Sequence, residues 1–351
     1  MTLRHVAVGD ARYAVRVAGS GAPVLLLHGF TGTGRSWDPL ARRLRVAGYR
    51  TIAPDLLGHG RSDAPADPVR HDVARQAADL ATILATLDAV PAVVVGYSLG
   101  GRVALRLALD RPHAVRSLVL IGAGAGTADD RTRARRRAEE AALAGAIERE
   151  GIVAFVDRWE ALPLFATEAA LPPRVRAARR DERLSQSPEG LAASLRGAGQ
   201  GAQQPLHSRL VTLRVPTLLV VGERDTAARS RAEAIVLAAP RRLVRVVVEP
   251  GAGHAVHLER EARFGDMVLA RLAANAGSPP GDANAGSPPS GANAGSPPSG
   301  GAVVGTASAA GAPASGATAA SGATAAGTAT TPSTTTADGA PPSGRLPRRT
   351  A

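Results

Sequence analysis

Residues 93–101 read VVVGYSLGG, and the next residues continue as RVALRLALD. The β-branched run suits a buried strand, and the stretch from Leu99 to Asp110 has helical spacing of its apolar residues. The change of period falls within Gly96-Tyr97-Ser98-Leu99-Gly100. One hydroxyl is therefore placed on a tight strand-to-helix turn. Such a turn forces the serine backbone toward unfavourable angles, and a side chain at position 96 or 100 would collide with the adjoining helix and strand. The layout presents the Ser98 oxygen at the top of a sheet. Behind it lie the free N–H groups and the positive end of a helix dipole.

The rest of the chain supplies the sheet that such a turn needs. Strands are predicted at Tyr13–Val17, Val24–His28, Arg50–Ala53, Val93–Gly96, Ser117–Ile121, Thr217–Val221 and Leu243–Val248, and the N-terminal MTLRHVAV also alternates like a strand. Several are short continuous apolar runs, as in a sheet buried on both faces. Helices are predicted at Ser36–Ala47, Asp72–Ala89, Leu99–Asp110, Ser230–Ala239 and His257–Ala273. Strands alternating with helices imply an α/β fold with a mostly parallel central sheet flanked by helices. The alternation fails over residues 126–205, which are helical in pattern, rich in arginine and broken by Pro163 and Pro172-Pro173. The expected organisation is a core in two parts (1–125 and 206–273), with a helical cap insertion at 126–205. An insertion at the carboxyl edge of a parallel sheet covers the ligand crevice. From Ala274 a nine-residue repeat, ANAGSPPGD then ANAGSPPSG twice, leads into Ala, Gly, Ser, Thr and Pro. Residues 274–351 have almost no large apolar side chains, and the expectation is a low-complexity disordered tail.

Bulk composition narrows the chemistry. There is no cysteine, so disulfides and thiolate catalysis are excluded. The formal charge is +12 and all 42 basic residues are arginine. This balance, set beside the wealth of Ala, Gly and Pro, is what GC-rich coding produces. No nucleic-acid motif accompanies it, so no nucleic-acid partner is expected. No segment has the roughly 18 apolar residues of a membrane span, and the N-terminus lacks the apolar core of a signal peptide; the expected location is cytoplasmic. The histidines form no metal-ligand pattern and the glycines no nucleotide fingerprint, so no metal or cofactor is expected.

A serine nucleophile needs a base, and the base an orienting acid. Past the carboxyl ends of two later strands, on the same edge as Ser98, stand Asp225 in LLVVGERD and His254 in VVVEPGAGH. His254 is the candidate base and Asp225 its orienting acid; His257 and Glu223 are the weaker candidates. An oxyanion hole needs two donors. The backbone amide of Leu99 supplies one, and that of Phe30, in LLLHGFTGTGRSW, supplies the other. His28, Asp55 and His59 read as loop braces.

These segments resemble the α/β-hydrolase superfamily over roughly residues 10–273. Within it, LLLHGFTGTGRSW, GYSLGGR, FVDRWEALPLFA, RDERLSQSPEGLAASLRGAG and GAGHAVHLER resemble the 2-succinyl-6-hydroxy-2,4-cyclohexadiene-1-carboxylate synthases of menaquinone biosynthesis. The resemblance implies an α/β-hydrolase fold and a pyruvate elimination rather than a hydrolysis, with Ser98 acting as base under His254 and Asp225. It implies a polycarboxylate small-molecule substrate held by Tyr97, Arg102, Arg135, Trp159 and Arg183. Guanidinium groups suit carboxylates because they bind them bidentately. The run RTRARRR is hard to register, so Arg133, Arg136 and Arg137 remain alternatives to Arg135. The chain departs from the family pattern at His207, where a tryptophan is expected, and at Ala227-Ala228, where a larger residue is common. A carboxylesterase or carbon–carbon bond hydrolase with the same three residues is the competing reading, and a non-catalytic binding protein of this fold a third.

Overall fold

The computed structural model describes residues 1–276. Eight strands form one sheet: β1 (Thr2–Val8), β2 (Ala11–Ala18), β3 (Pro23–Leu27), β4 (Arg50–Pro54), β5 (Ala92–Tyr97), β6 (Val115–Ile121), β7 (Thr217–Gly222) and β8 (Val244–Glu249). Their spatial order is β1-β2-β4-β3-β5-β6-β7-β8. β1 and β2 form an antiparallel hairpin closing at Val8↔Ala11, and β2 runs antiparallel to β4. Every other pairing is parallel. The mostly parallel α/β architecture read from the sequence is therefore the fold of the chain.

The alternation of side chains along the strands sorts the core into two layers. On one face Leu25, Leu27 and Val94 meet Leu80, Ile83 and Leu84 of α2 (Val73–Thr86) and Leu105 of α3 (Leu99–Asp110). On the other face Val24, Leu26, Val93 and Val95 meet Leu40 and Leu44 of α1 (Asp38–Val46), together with Phe264 and Val268 farther along the chain. All six residues of β5 are buried, as a central strand covered on both sides requires. Each of these Leu or Val side chains contributes about 1.5–3 kcal/mol by leaving water.

The stretch between β6 and β7 holds α4 (Asp130–Glu160), α5 (Pro173–Leu184) and α6 (Pro188–Ala198), with a 3-10 segment at Pro163–Ala170. α4 is broken at Gly151, whose φ of 81° lies outside the helical range. Pro163, Pro173 and Pro188 each open a helical segment, where a missing N–H costs nothing. Ile147, Phe155 and Val156 of α4 pack against Leu191 and Leu195 of α6.

Helix starts differ from the sequence reading where a cap decides them. α7 (Thr226–Ala238) begins four residues before the predicted Ser230, because the Asp225 side chain accepts the Ala228 amide at 2.9 Å. The predicted helix at His257–Ala273 is two, α8 (Val256–Glu259) and α9 (Glu261–Ala276). α9 runs through 274–276, the first residues of the predicted tail; the remainder of that tail lies outside the described residues. Among the described residues no helix is long and apolar enough to cross a membrane.

Candidate active site

Ser98 occupies the turn between β5 and α3 with φ 49° and ψ −108°, a conformation that L residues avoid. Close packing fixes the turn. A Cβ built on Gly96 would lie 2.6 Å from the Gly100 carbonyl oxygen, and one on Gly100 would lie 2.4 Å from that of Leu27. The Ser98 amide donates to the Ile121 carbonyl at 2.8 Å, which ties the turn to the end of β6.

The Ser98 Oγ lies 3.1 Å from His254 Nε2, and His254 Nδ1 lies 2.6 Å from Asp225 Oδ2. Asp225 and His254 are each 6% exposed. The two carboxylate oxygens of Asp225 have separate tasks, one capping α7 and the other holding the imidazole. Burial pushes the Asp225 carboxyl up, but the hydrogen bond from His254 and the His254 charge outweigh it, and its pKa lies below the usual carboxylate value. An ionised Asp225 accepts the Nδ1 proton, so Nε2 is left to accept the serine proton. The amides of Phe30 and Leu99 donate to no acceptor among the described residues, and both residues line the Ser98 cavity. The site can thus remove a proton from the serine and offer N–H groups to a developing oxyanion.

The alternative base and acid are not positioned for this chemistry. His257 is packed between the rings of Tyr97 and Trp37, at 4.4 and 4.9 Å, and burial holds its pKa well below the ordinary value. Glu223 accepts the Gly251 amide at the surface. His28 accepts the Leu56 amide at Nε2 and donates from Nδ1 to the Gly29 carbonyl, both at 2.8 Å, so it braces its loop. Asp55 accepts the amides of Gly34 and Arg61, and His59 Nδ1 donates to the Leu57 carbonyl.

Above Ser98 lies a cavity of about 300 Å³, walled by α4, the 3-10 segment, α5 and α6. Tyr97 forms part of its floor, with its ring 5.2 Å from that of His254; burial pushes its phenol pKa up and keeps it protonated. Trp159 lines the roof against Phe30 and Phe165, and its buried Nε1 has no partner among the described residues.

Five arginines line the cavity: Arg102, Arg136, Arg179, Arg183 and Arg231. Arg102 donates to the Ala198 carbonyl and to Gln203 Oε1, each at 2.7 Å, so it clamps the end of α6 while facing the cavity. Burial pulls its pKa down to about 10. Arg183 pairs with Glu160 at 2.9 Å and Glu168 at 3.1 Å, and its guanidinium lies 5.3 Å from the centre of the Phe165 ring. Arg135 is corrected. It is exposed and pairs with Glu139 one helical turn on, whereas Arg136, rotated about 100° along α4, lines the cavity. Arg133 bonds the Thr127 carbonyl and Asp130, and Arg137 the Gly201 carbonyl.

The sequence reading missed Arg179, Arg231, Glu168 and Glu140. Arg179 and Arg183 are one turn apart and share Glu168, a pairing that i,i+4 spacing permits but does not distinguish in an arginine-rich helix. Glu140 accepts the amides of Gln200 and Gly201. Arg231 lies within the predicted helix Ser230–Ala239, but nothing in the local sequence marks it as facing the cavity. Of the two departures from the family pattern, Ala227 lines the cavity and His207 opens a 3-10 turn outside it.

Residues 22–261 match the family described as alpha/beta hydrolase fold. The chain is 38% identical over 267 residues to a putative 2-succinyl-6-hydroxy-2,4-cyclohexadiene-1-carboxylate synthase of Bacillus subtilis, covering 75% of this chain and 96% of that one. The structure of MenH from S. aureus superposes with a TM-score of 0.71 at 29% identity, covering 75% of this chain and 98% of that one. A thermophilic esterase from Thermogutta terrifontis, solved with malate bound, gives 0.68 at 27% identity, covering 78% and 99%. With this match, this sheet order and this strand–turn–helix at Ser98, the chain belongs to the α/β-hydrolase family.

Proposed function

We propose that the protein is a carbon–oxygen lyase that eliminates pyruvate from 2-succinyl-5-enolpyruvyl-6-hydroxy-3-cyclohexene-1-carboxylate, giving 2-succinyl-6-hydroxy-2,4-cyclohexadiene-1-carboxylate. The carrying observation is the Ser98–His254–Asp225 relay opening into a cavity lined by five arginines. Similarity to the Bacillus subtilis synthase over almost all of that protein's length supports the same reading. In this reading His254 takes the Ser98 proton, and the serine oxygen removes the proton α to the succinyl carbonyl. The amides of Leu99 and Phe30 carry the negative charge that develops on that carbonyl oxygen. The ring double bond then shifts, the carbon–oxygen bond to the enolpyruvyl group breaks, and the departing enolate takes a proton on carbon to become pyruvate. No water is consumed and no acyl-enzyme forms. Tyr97 and Trp159 shape the pocket for the ring, and the arginines match a substrate with several carboxylates.

The same relay serves ester hydrolysis, and the likeness to the thermophilic esterase keeps that as the second reading. The test follows pyruvate and diene absorbance together, on substrate made fresh by the preceding enzyme. Wild type is expected to release pyruvate stoichiometrically, and Ser98→Ala to lose at least about a thousandfold in rate while staying folded. Release no faster than the spontaneous background, from folded wild type, rejects the lyase and turns attention to esters.

A further inference from the structure

The five cavity arginines are not equivalent. Arg179 and Arg183 are neutralised in place by Glu168, and Arg183 also by Glu160. The other three have no ion-pair partner among the described residues. Arg102 spends its hydrogen bonds on carbonyl and amide oxygens, and Arg136 makes no side-chain hydrogen bond among the described residues. Arg231 makes one long hydrogen bond, 3.4 Å from Nη2 to the Gly122 carbonyl. Glu140 lines the same cavity and its charge acts on Arg102, but its two oxygens accept the amides of Gln200 and Gly201 and it pairs with none of the three. Asp225 holds His254 and caps α7. A guanidinium withdrawn from water normally stands beside a carboxylate, because its desolvation must be offset.

The place of Arg231 is built rather than accidental. A Cβ on Gly124 would lie 2.6 Å from Arg231 Cδ and 3.0 Å from its Cγ, so the glycine leaves the channel in which the stem lies. Gly122, whose carbonyl holds the guanidinium, has φ +60°, and a Cβ there would lie 2.7 Å from His254 Cε1. Loop 122–124 therefore seats Arg231 in the wall of the Ser98 cavity, which Arg102 and Arg136 also line. Burial lowers the Arg231 pKa and the charge of Arg136 adds to it, although the charge of Asp225 opposes the shift.

We propose that Arg231 is a substrate-binding residue which, with Arg102 and Arg136, receives a carboxylate of the ligand and gives this chain its preference for a substrate carrying a second carboxylate. The inference rests on the reading that the Ser98 cavity is the substrate site. Its test reads binding, not turnover. Two aryl ketones differing by one carboxylate are titrated calorimetrically into the full chain: 4-oxo-4-phenylbutanoate and 2-(3-carboxypropanoyl)benzoate. Wild type is expected to favour the dicarboxylate by about tenfold or more, the scale of one charge-assisted bidentate contact. Arg231→Gln should bring the preference below about threefold, with binding of the monocarboxylate held within about twofold. Arg231→Lys should fall between. If Arg231→Gln does not fold, Gly124→Ala displaces the stem without removing the charge and should lower the preference likewise. Wild type that binds neither ligand, or binds both equally, overturns the proposal. So does an unchanged preference in the folded variants, or an equal loss for both ligands. Absence of pyruvate release with the preference intact rejects the lyase and leaves Arg231 as the carboxylate site of another reaction.

Discussion

At the scale of single residues, the tension lies in Ser98. Its φ of 49° with ψ −108° is held by the packing of Gly96 and Gly100 against neighbouring carbonyls. Such a backbone costs of order 1–3 kcal/mol, and glycine adopts it freely. Two variants that both delete the hydroxyl separate strain from chemistry. Ser98→Gly is expected to be more stable than Ser98→Ala by about 1 kcal/mol, the reverse of the order at an ordinary helix or strand position. Denaturant midpoints measure it, and an alanine variant equal to or better than the glycine variant removes the strain argument. The hydroxyl position was legible because a β-branched run, a glycine and a helical period meet at one point. Arg136 was not legible, because choosing among neighbouring arginines needs the phase of α4, and polar residues on nearly every face leave that phase unmarked.

At the scale of elements, α5 is fastened to the loop that carries Phe30. Glu182, half-buried, accepts the Thr33 amide at 3.1 Å, the Thr33 hydroxyl at 2.5 Å and the Ser36 hydroxyl at 2.9 Å. Burial raises its carboxyl pKa, although the Thr33 and Ser36 hydrogen bonds oppose the shift. Glu182→Ala strips the Thr33 and Ser36 hydroxyls of their acceptor, leaves the Thr33 amide only its longer bond to Ser36 Oγ, and is expected to cost about 1–3 kcal/mol. Amide hydrogen exchange over residues 31–36 should quicken, because the loop loses its tie to the cap. Protection equal to wild type there would mean that Glu182 does not hold the loop. The strands and most helices were legible from period alone. The start of α7 was not, because Asp225 read as an orienting acid hid its second task as a helix cap.

At the scale of the molecule, acid sensitivity is built into the interior. His28 and His59 are 0% and 1% exposed, and burial pushes their pKa values down to about 4 and about 3. In the unfolded chain each titrates near 6.5. Between those values the unfolded state binds protons that the folded state does not, so stability falls as pH falls from about 6.5 toward about 4. The slope is about 1.4 kcal/mol per pH unit for each histidine. His59 Nε2 is buried without a partner, so His59→Leu sacrifices no bond at that nitrogen and should flatten the slope between pH 6.5 and 4. Denaturation midpoints across that range decide it; an unaltered slope means that His59 is not a source of the acid sensitivity.

The sequence by itself determined the sheet, the helical stretch between β6 and β7, and the chain order of Ser98, Asp225 and His254. Hydrophobic period and turn chemistry are local, and local rules write them plainly. The tertiary structure alone decided how charge is shared. Whether an arginine is neutralised, as Arg183 is by Glu160 and Glu168, or left open, as Arg231 is, depends on which carboxylates arrive from distant segments. Arginines are spread through the first 271 residues, so composition gives no contrast there, and only the packing of the helices and loops separates the cations held in ion pairs from those without one.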